Sequence, residues 1–184
     1  MTGQILNNKQ IDDLIKQGII GFSGYDSAKL QIAQYPLSAM SISEVGPDHK
    51  AKEIFRFDES HKSFSFAPQK YYLIDILEEI RLPKGIIGRF IPSSSFIELG
   101  LSITAGKIEY PYGQNKERIR FGIFNCLTIE TTIFNDYRIA YVEFFDLRGL
   151  ANLEYQLTPY DKNIYIERTH DDWDGPNYER DNRE

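Results

Sequence analysis

Apolar residues along this chain recur at two spacings. Between Asn7 and Gln17 they fall at Ile11, Leu14 and Ile15, on one face of a helix, with Asn8 at the capping position and Gly18 as the stop. After Gly18 the helical spacing gives way to short alternating pieces broken by Gly, Ser and Pro. One of them is Lys29–Ala33, and the stretch from Ile19 to Lys50 reads as strands and loops. IFRF at 54–57 and FSFA at 64–67 alternate around the polar connector DESHKS, which predicts a hairpin. KYYLIDILEEI at 70–80 fits either a strand followed by a turn or one helix. LPKG then breaks the chain, and IIGRFI at 86–91 reads as a strand.

Further on, RIRFGIF (118–124), TIETTIFN (128–135) and RIAYVEFF (138–145) are strand candidates. Many short strands with frequent turn signals predict a mainly β fold, a barrel or sandwich. No internal repeat interrupts this reading. From about Thr158 the chain turns polar, with Pro159 and Gly175-Pro176, so a β domain over 1–157 and a polar arm over 158–184 are expected.

Composition sharpens the picture at a few points. Aromatic residues make up 14% of the 184, including 12 Tyr and 12 Phe, which favours strands. Acidic residues outnumber basic ones, 27 to 21, and no basic stripe is visible, so nucleic acid is not the expected partner. No apolar run reaches membrane-spanning length and Met1–Leu14 lacks a charged-then-apolar leader, so a cytoplasmic protein without membrane association is expected. The single cysteine, Cys126, fits a reducing compartment and is expected to be a small buried residue beside a strand. His49, His61 and His170 are isolated from one another, so no zinc site is expected.

The stretch from Arg81 to Gly149 carries more. It contains Leu82-Pro83, Gly88-Arg89, Ser94-Ser95, Leu99-Gly100-Leu101, Thr104-Ala105, Ile108-Glu109 and a strand ending in Asn125. In that order and spacing these residues resemble the dCTP deaminases, relatives of the trimeric dUTPases. The resemblance implies a distorted β-barrel with a short N-terminal helix, assembled as a homotrimer with active sites between subunits. It implies a pyrimidine deoxynucleoside triphosphate as ligand, accompanied by Mg2+ and without zinc. The nucleotide-binding residues it implies are Ser94, Ser95, Ile103, Thr104, Ala105 and Glu109, the last beside the deoxyribose and the reacting water.

Deamination adds water at C4 of cytosine and expels ammonia, which requires a carboxylate to take and return a proton. The family places a Glu three residues before the strand-end Asn, and that position is Gly122 here. Glu109 and Glu117 are the remaining candidate acids. The family's arginine before Ser-Ser is Ser93, its arginine before Leu-Gly-Leu is Glu98, and a Gln of its closing strand is Tyr141. Arg89 is either a surviving phosphate contact or a solvated strand residue. Trp173, near Gly175-Pro176, is expected to anchor the arm on the barrel, not to form a lid over nucleotide.

Three functions follow as expectations: a nucleotide-binding relative that no longer deaminates, a nucleotide hydrolase (deaminase or dUTP diphosphatase type) with rearranged residues, or a non-catalytic module for protein interaction.

Overall fold

Two strands that are near neighbours in the chain form the opposite edges of the main sheet, and this closes the architecture. The structure is a computed structural model that describes residues 4–104, 106–114 and 118–149. Its strands are β1 (Gln4–Ile5), β2 (Gly21–Ser23), β3 (Gln34–Val45), β4 (Ala51–Arg56), β5 (Ser63–Phe66), β6 (Tyr71–Ile76), β7 (Glu79–Arg81), β8 (Ile86–Pro92), β9 (Leu101–Thr104), β10 (Lys107–Ile108), β11 (Arg120–Asn125), β12 (Thr131–Phe134) and β13 (Arg138–Asp146). The helices are α1 (Asn8–Lys16) and α2 (Ser94–Glu98), and Ser27–Lys29 forms a single 3-10 turn. The main sheet runs β10-β8-β13-β3-β6-β11-β9, with β1 added on β13 and β4 on β3. Only residues 105 and 106 lie between β9 and β10 in the chain, so the sheet curls into a half-barrel whose edges face each other.

β3 is the pivot. Its first half bonds β13, and its second half lies between β4 and β6. The register shifts at Ala39/Ser41 and Ile42/Ser43, where bulges bend the strand and allow the sheet to turn. Tyr35, Leu37, Ile42, Ile74, Ile76, Phe121, Ile123, Val142 and Phe144 fill the concave face. α1 closes one end of this core with Ile11, Leu14 and Ile15, as its spacing predicts. Its cap is Asn7, one residue earlier than expected. The Asn7 side chain accepts from the Gln10 N–H and the Gln10 side chain accepts from the Asn7 N–H, a reciprocal box that Asn8 is too late to form.

The ambiguous segment at 70–80 resolves as strand, turn and strand (β6 and β7). The expected hairpin between IFRF and FSFA does not form. β4 pairs with β3 and β5 pairs with β12, and the two segments meet only through side chains, with the Phe55 and Phe64 rings 5.2 Å apart. The twelve residues of β3 offer β4 a longer edge than the four residues of β5 could. Lys29–Ala33 is not a strand either. It leaves the 3-10 turn, and Ile32 is 81% exposed, so its alternation has no face to bury. Ser94–Glu98 is a short helix. Ser93 caps it, fully buried Phe96 anchors it, and Gly100 ends it.

Asn125 ties three segments together at the end of β11. Its amide donates to the carbonyls of Phe66, Ala67 and Ile129 at 2.9–3.2 Å, while its oxygen accepts from the Leu127 N–H. These bonds join the end of β5 and the end of β11 to the loop that leads to β12. Cys126 is exposed, contrary to expectation, because it is the first residue past β11 on the solvent side. No helix among the described residues is long and apolar enough to cross a membrane. The expected 158–184 arm, including Trp173 and His170, lies outside the described residues.

The turn between β6 and β7 buries a carboxylate. Glu78 is 2% exposed and accepts from the Ser38 N–H at 3.0 Å, and the Leu77 N–H donates to the Ser38 carbonyl. Burial raises its pKa above the usual glutamate value of 4.5, and the bonds from the backbone and Ser38 offset this only in part. The folded state therefore holds this proton more tightly than the unfolded chain. Its contribution to stability is complete below pH 4.5 and is lost as pH rises through the folded-state value. The carboxylates whose pKa is lowered, Asp12, Asp58 and Asp146, act below their ordinary value of 3.8 and so in a separate window. Denaturant titrations above pH 4.5 should show wild-type stability falling relative to Glu78→Gln. Parallel curves for the two proteins would contradict the assignment.

Candidate functional site

Alternation along β11 sorts its residues onto two faces. Phe121 and Ile123 enter the core, while Arg120, Gly122 and Phe124 lie on the other side. The cross-strand partners of these three on β6 are Asp75, Leu73 and Tyr71, and Gly122 and Phe124 face Thr104 and Ser102 on β9. Where the edges of the half-barrel approach each other, a cavity of about 300 Å³ opens. Its walls come from β8 (Phe90), β9 (Thr104), β10 (Lys107, Ile108), the following turn (Glu109, Tyr112) and β11 with the residue before it (Ile119, Arg120, Phe121).

The cavity is aromatic at its base. Phe90 and Phe121 meet edge to face, with centroids 5.0 Å apart. Tyr112 forms one side, and its hydroxyl donates to the Arg118 carbonyl at 2.6 Å. The turn that carries Tyr112 depends on Gly113. Its φ is +80°, and a Cβ there would lie 2.2 Å from the Ile80 carbonyl oxygen, so no other residue fits without moving backbone. This close approach ties the loop after β10 to β7.

The cavity's fixed charge is Arg120. Arg120 donates from Nε and Nη2 to the two oxygens of Asp75, at 2.6 and 2.8 Å. Asp75 is buried and also accepts from the Ser41 hydroxyl at 3.3 Å. A bidentate pair to a buried carboxylate holds the guanidinium plane in one orientation. It also raises the Arg120 pKa further, so the group is always cationic. Glu109 is held more loosely. Its carboxylate pairs with Lys107 at 2.8 Å, but both side chains are about half exposed, and such a pair contributes little.

Of the residues expected to bind nucleotide, the structure brings Thr104 and Glu109 to the cavity. Ile103 is on the same strand but packs against the core. Ser94 and Ser95 are exposed on α2 and do not line the cavity. Ala105 and Glu117 lie outside the described residues. Arg89 donates to Glu143 on the neighbouring strand and lies over the Phe145 ring, the surface role that was its alternative reading.

A Cβ built on Gly122 would lie 2.2 Å from the Tyr71 hydroxyl oxygen and 2.8 Å from the carbon that bears it. The volume above Gly122 is thus filled by another strand's phenol. Ser93 has a structural role. It is 2% exposed, its hydroxyl bonds the Arg138 carbonyl, and it accepts from the Phe96 N–H. Glu98 is exposed at the end of α2, and Tyr141 is half-buried on β13 opposite Pro36 and Ile91.

Sequence reading missed Arg120, Asp75 and Tyr71. Two signals pointed to them. Asp75 is an acid inside an otherwise apolar strand, and Arg120 is two residues before Gly122, hence on its face. Among the described residues no group of three or more His, Cys, Asp and Glu is placed to hold a metal ion. Glu109 is the one carboxylate lining the cavity among the described residues, and alone it cannot supply the near-octahedral oxygen shell that magnesium takes. These residues do not form a magnesium site of their own.

The comparisons with known proteins agree with this geometry. The structure of the 2'-deoxycytidine 5'-triphosphate deaminase from Agrobacterium tumefaciens matches with a TM-score of 0.61 at 16% identity, over 79% of this chain and 49% of that one. The chain thus spans about half the length of that deaminase. The EIAV dUTPase matches at 0.42 with 17% identity, covering 70% of this chain and 97% of that one. A Staphylococcus bacteriophage 80alpha dUTPase matches at 0.40 with 14% identity, covering 66% and 91%. At these identities the likeness concerns fold alone. No curated protein sequence matches significantly. A family model for dCTP deaminase-like domains matches residues 5–147, and on that match, over the half-barrel just described, the chain belongs to the dCTP deaminase-like family.

Proposed function

We propose that this protein binds a pyrimidine deoxynucleotide in the cavity between β9, β10 and β11 and does not deaminate it. The observation that carries the reading is the pairing of Gly122 with Tyr71. Where the family resemblance calls for a proton-accepting carboxylate, this chain has no side chain, and a phenol fills the space. A phenol hydroxyl is not a carboxylate and does not supply that acid's two acceptor oxygens. Adding water to C4 requires an acceptor within hydrogen-bond reach of that water. Glu109, the cavity's carboxylate among the described residues, pairs with Lys107 where both side chains are about half exposed.

The cavity suits the base and sugar, with the ring against Phe90 and Phe121 and Glu109 toward the deoxyribose. The phosphates extend beyond this wall. Magnesium accompanies them as the nucleotide's own counter-ion, without a dedicated protein site. With Ser93 serving as a helix cap and Glu98 acidic, the phosphate contacts come from Ser94 and Ser95 of a neighbouring subunit. Two exposed aromatics, Tyr71 and Phe124, are cross-strand partners and give a second chain an apolar surface to cover. We therefore read the assembly as a homotrimer. Sedimentation equilibrium should give three times the 21.4 kDa chain mass, and a monomer at micromolar concentration would refute the shared site.

Glu109 at the cavity wall supports one other reading, in which it positions a water that attacks phosphorus and releases pyrophosphate. The full-length protein with magnesium should release neither ammonia from dCTP nor pyrophosphate from dCTP or dUTP above a heat-killed control. Ammonia release would overturn the proposal. Pyrophosphate release that disappears in Glu109→Gln would transfer it to the hydrolase reading.

A further inference from the structure

The polarity of the cavity's fixed groups bears on which pyrimidine it takes. Arg120 is the cavity's best-anchored charge, and a guanidinium only donates hydrogen bonds. Asp75 engages its Nε and Nη2, and the Nη1 amino group is not used in that pair. The Arg120 side chain is about one-third exposed, 32%, and Arg120 lines the cavity, whereas Asp75 is 8% exposed and does not line it. The other polar side chains of the wall impose less. The Thr104 hydroxyl rotates to donate or accept. Lys107 and Glu109 pair with each other where both are half exposed. Phe90, Phe121, Ile108 and Ile119 offer no hydrogen bond at all.

Uracil and thymine carry a carbonyl oxygen at C4, where cytosine carries an amino group. The first accepts a hydrogen bond and the second donates one. Against a donor that cannot rotate away or lose its proton, a carbonyl gains a charge-assisted bond, while an amino group meets a like partner and leaves both unpaired. We propose that Arg120, oriented by Asp75, is a specificity-determining residue that selects a 4-keto pyrimidine deoxynucleotide over cytosine in this cavity. The inference rests on the nucleotide-binding reading above and adds the choice of base to it. It accords with that reading: an occupant with no exocyclic amino group needs no deaminating acid at Gly122.

The test is calorimetric titration of the full-length protein with dUTP and with dCTP, both in magnesium. Wild type should bind dUTP tighter by roughly tenfold or more, the scale of one satisfied against one opposed hydrogen bond to a charged group. Arg120→Gln offers a donor and an acceptor on the same stem and should bring the two affinities close to parity. Because this change leaves Asp75 buried with a weaker partner, a second variant, Arg120→Met with Asp75→Asn, removes both charges together and should lose the preference too, with its fold checked by circular dichroism. Equal affinities in wild type, tighter binding of dCTP, or a preference that survives in both variants would overturn the assignment of Arg120 while leaving nucleotide binding intact. If neither nucleotide binds, the binding reading falls, and this inference with it.

Discussion

The curl of one sheet governs the rest of this molecule. β9 and β10 are opposite edges of the strand order but nearly adjacent in the chain, so the sheet must bend until its ends confront each other. A flat sheet would hold the β10–β8 end far from the β11–β9 end. The bent one sets Thr104 and Glu109 around a single cavity with Phe90, Phe121 and Arg120. The bulges in β3 supply the bend, and Asn125 holds the strand ends and loops that would otherwise splay. The concave side is filled by apolar residues, so the curvature is maintained by burial and not by a few polar contacts.

Within that frame the two faces of β11 have separate duties. Phe121 and Ile123 belong to the core. Phe121 also lines the cavity, as does Arg120, whereas Gly122 does not, and the β6 neighbours of Arg120 and Gly122 complete them in opposite senses. Asp75 adds a charge that fixes Arg120 in place. Tyr71 occupies the room that a side chain at 122 would need. A buried ion pair is not in itself a source of stability, since desolvation cancels much of the attraction. Its value here is orientation. The glycine and the tyrosine form a matched pair, and a carboxylate cannot be placed at 122 while the phenol stays where it is.

Much of the fold was legible in the chain. Strict alternation in RIRFGIF and RIAYVEFF gives β11 and β13, and the spacing of Ile11, Leu14 and Ile15 gives α1, because each pattern has a single face to bury. Where the reading failed, long-range pairing decided. IFRF and FSFA look like a hairpin locally, but each is drawn to a partner distant in sequence. The site was legible in part. Thr104 and Glu109 follow from the family's order of residues, and Gly122 from a count back from Asn125. Arg120, Asp75 and Tyr71 lie on three strand positions whose proximity depends on register, and register is set by turns and bulges that no local pattern displays.

The central claim is that the cavity keeps a nucleotide and lacks the acid that would transform it. A crystal structure of the full-length protein grown with saturating dCTP and magnesium tests this most directly. The account predicts an intact cytosine against Phe90 and Phe121, with no carboxylate from any subunit within hydrogen-bonding distance of C4. A deaminated base in the cavity, or an acid from a neighbouring chain poised at that carbon, would contradict it.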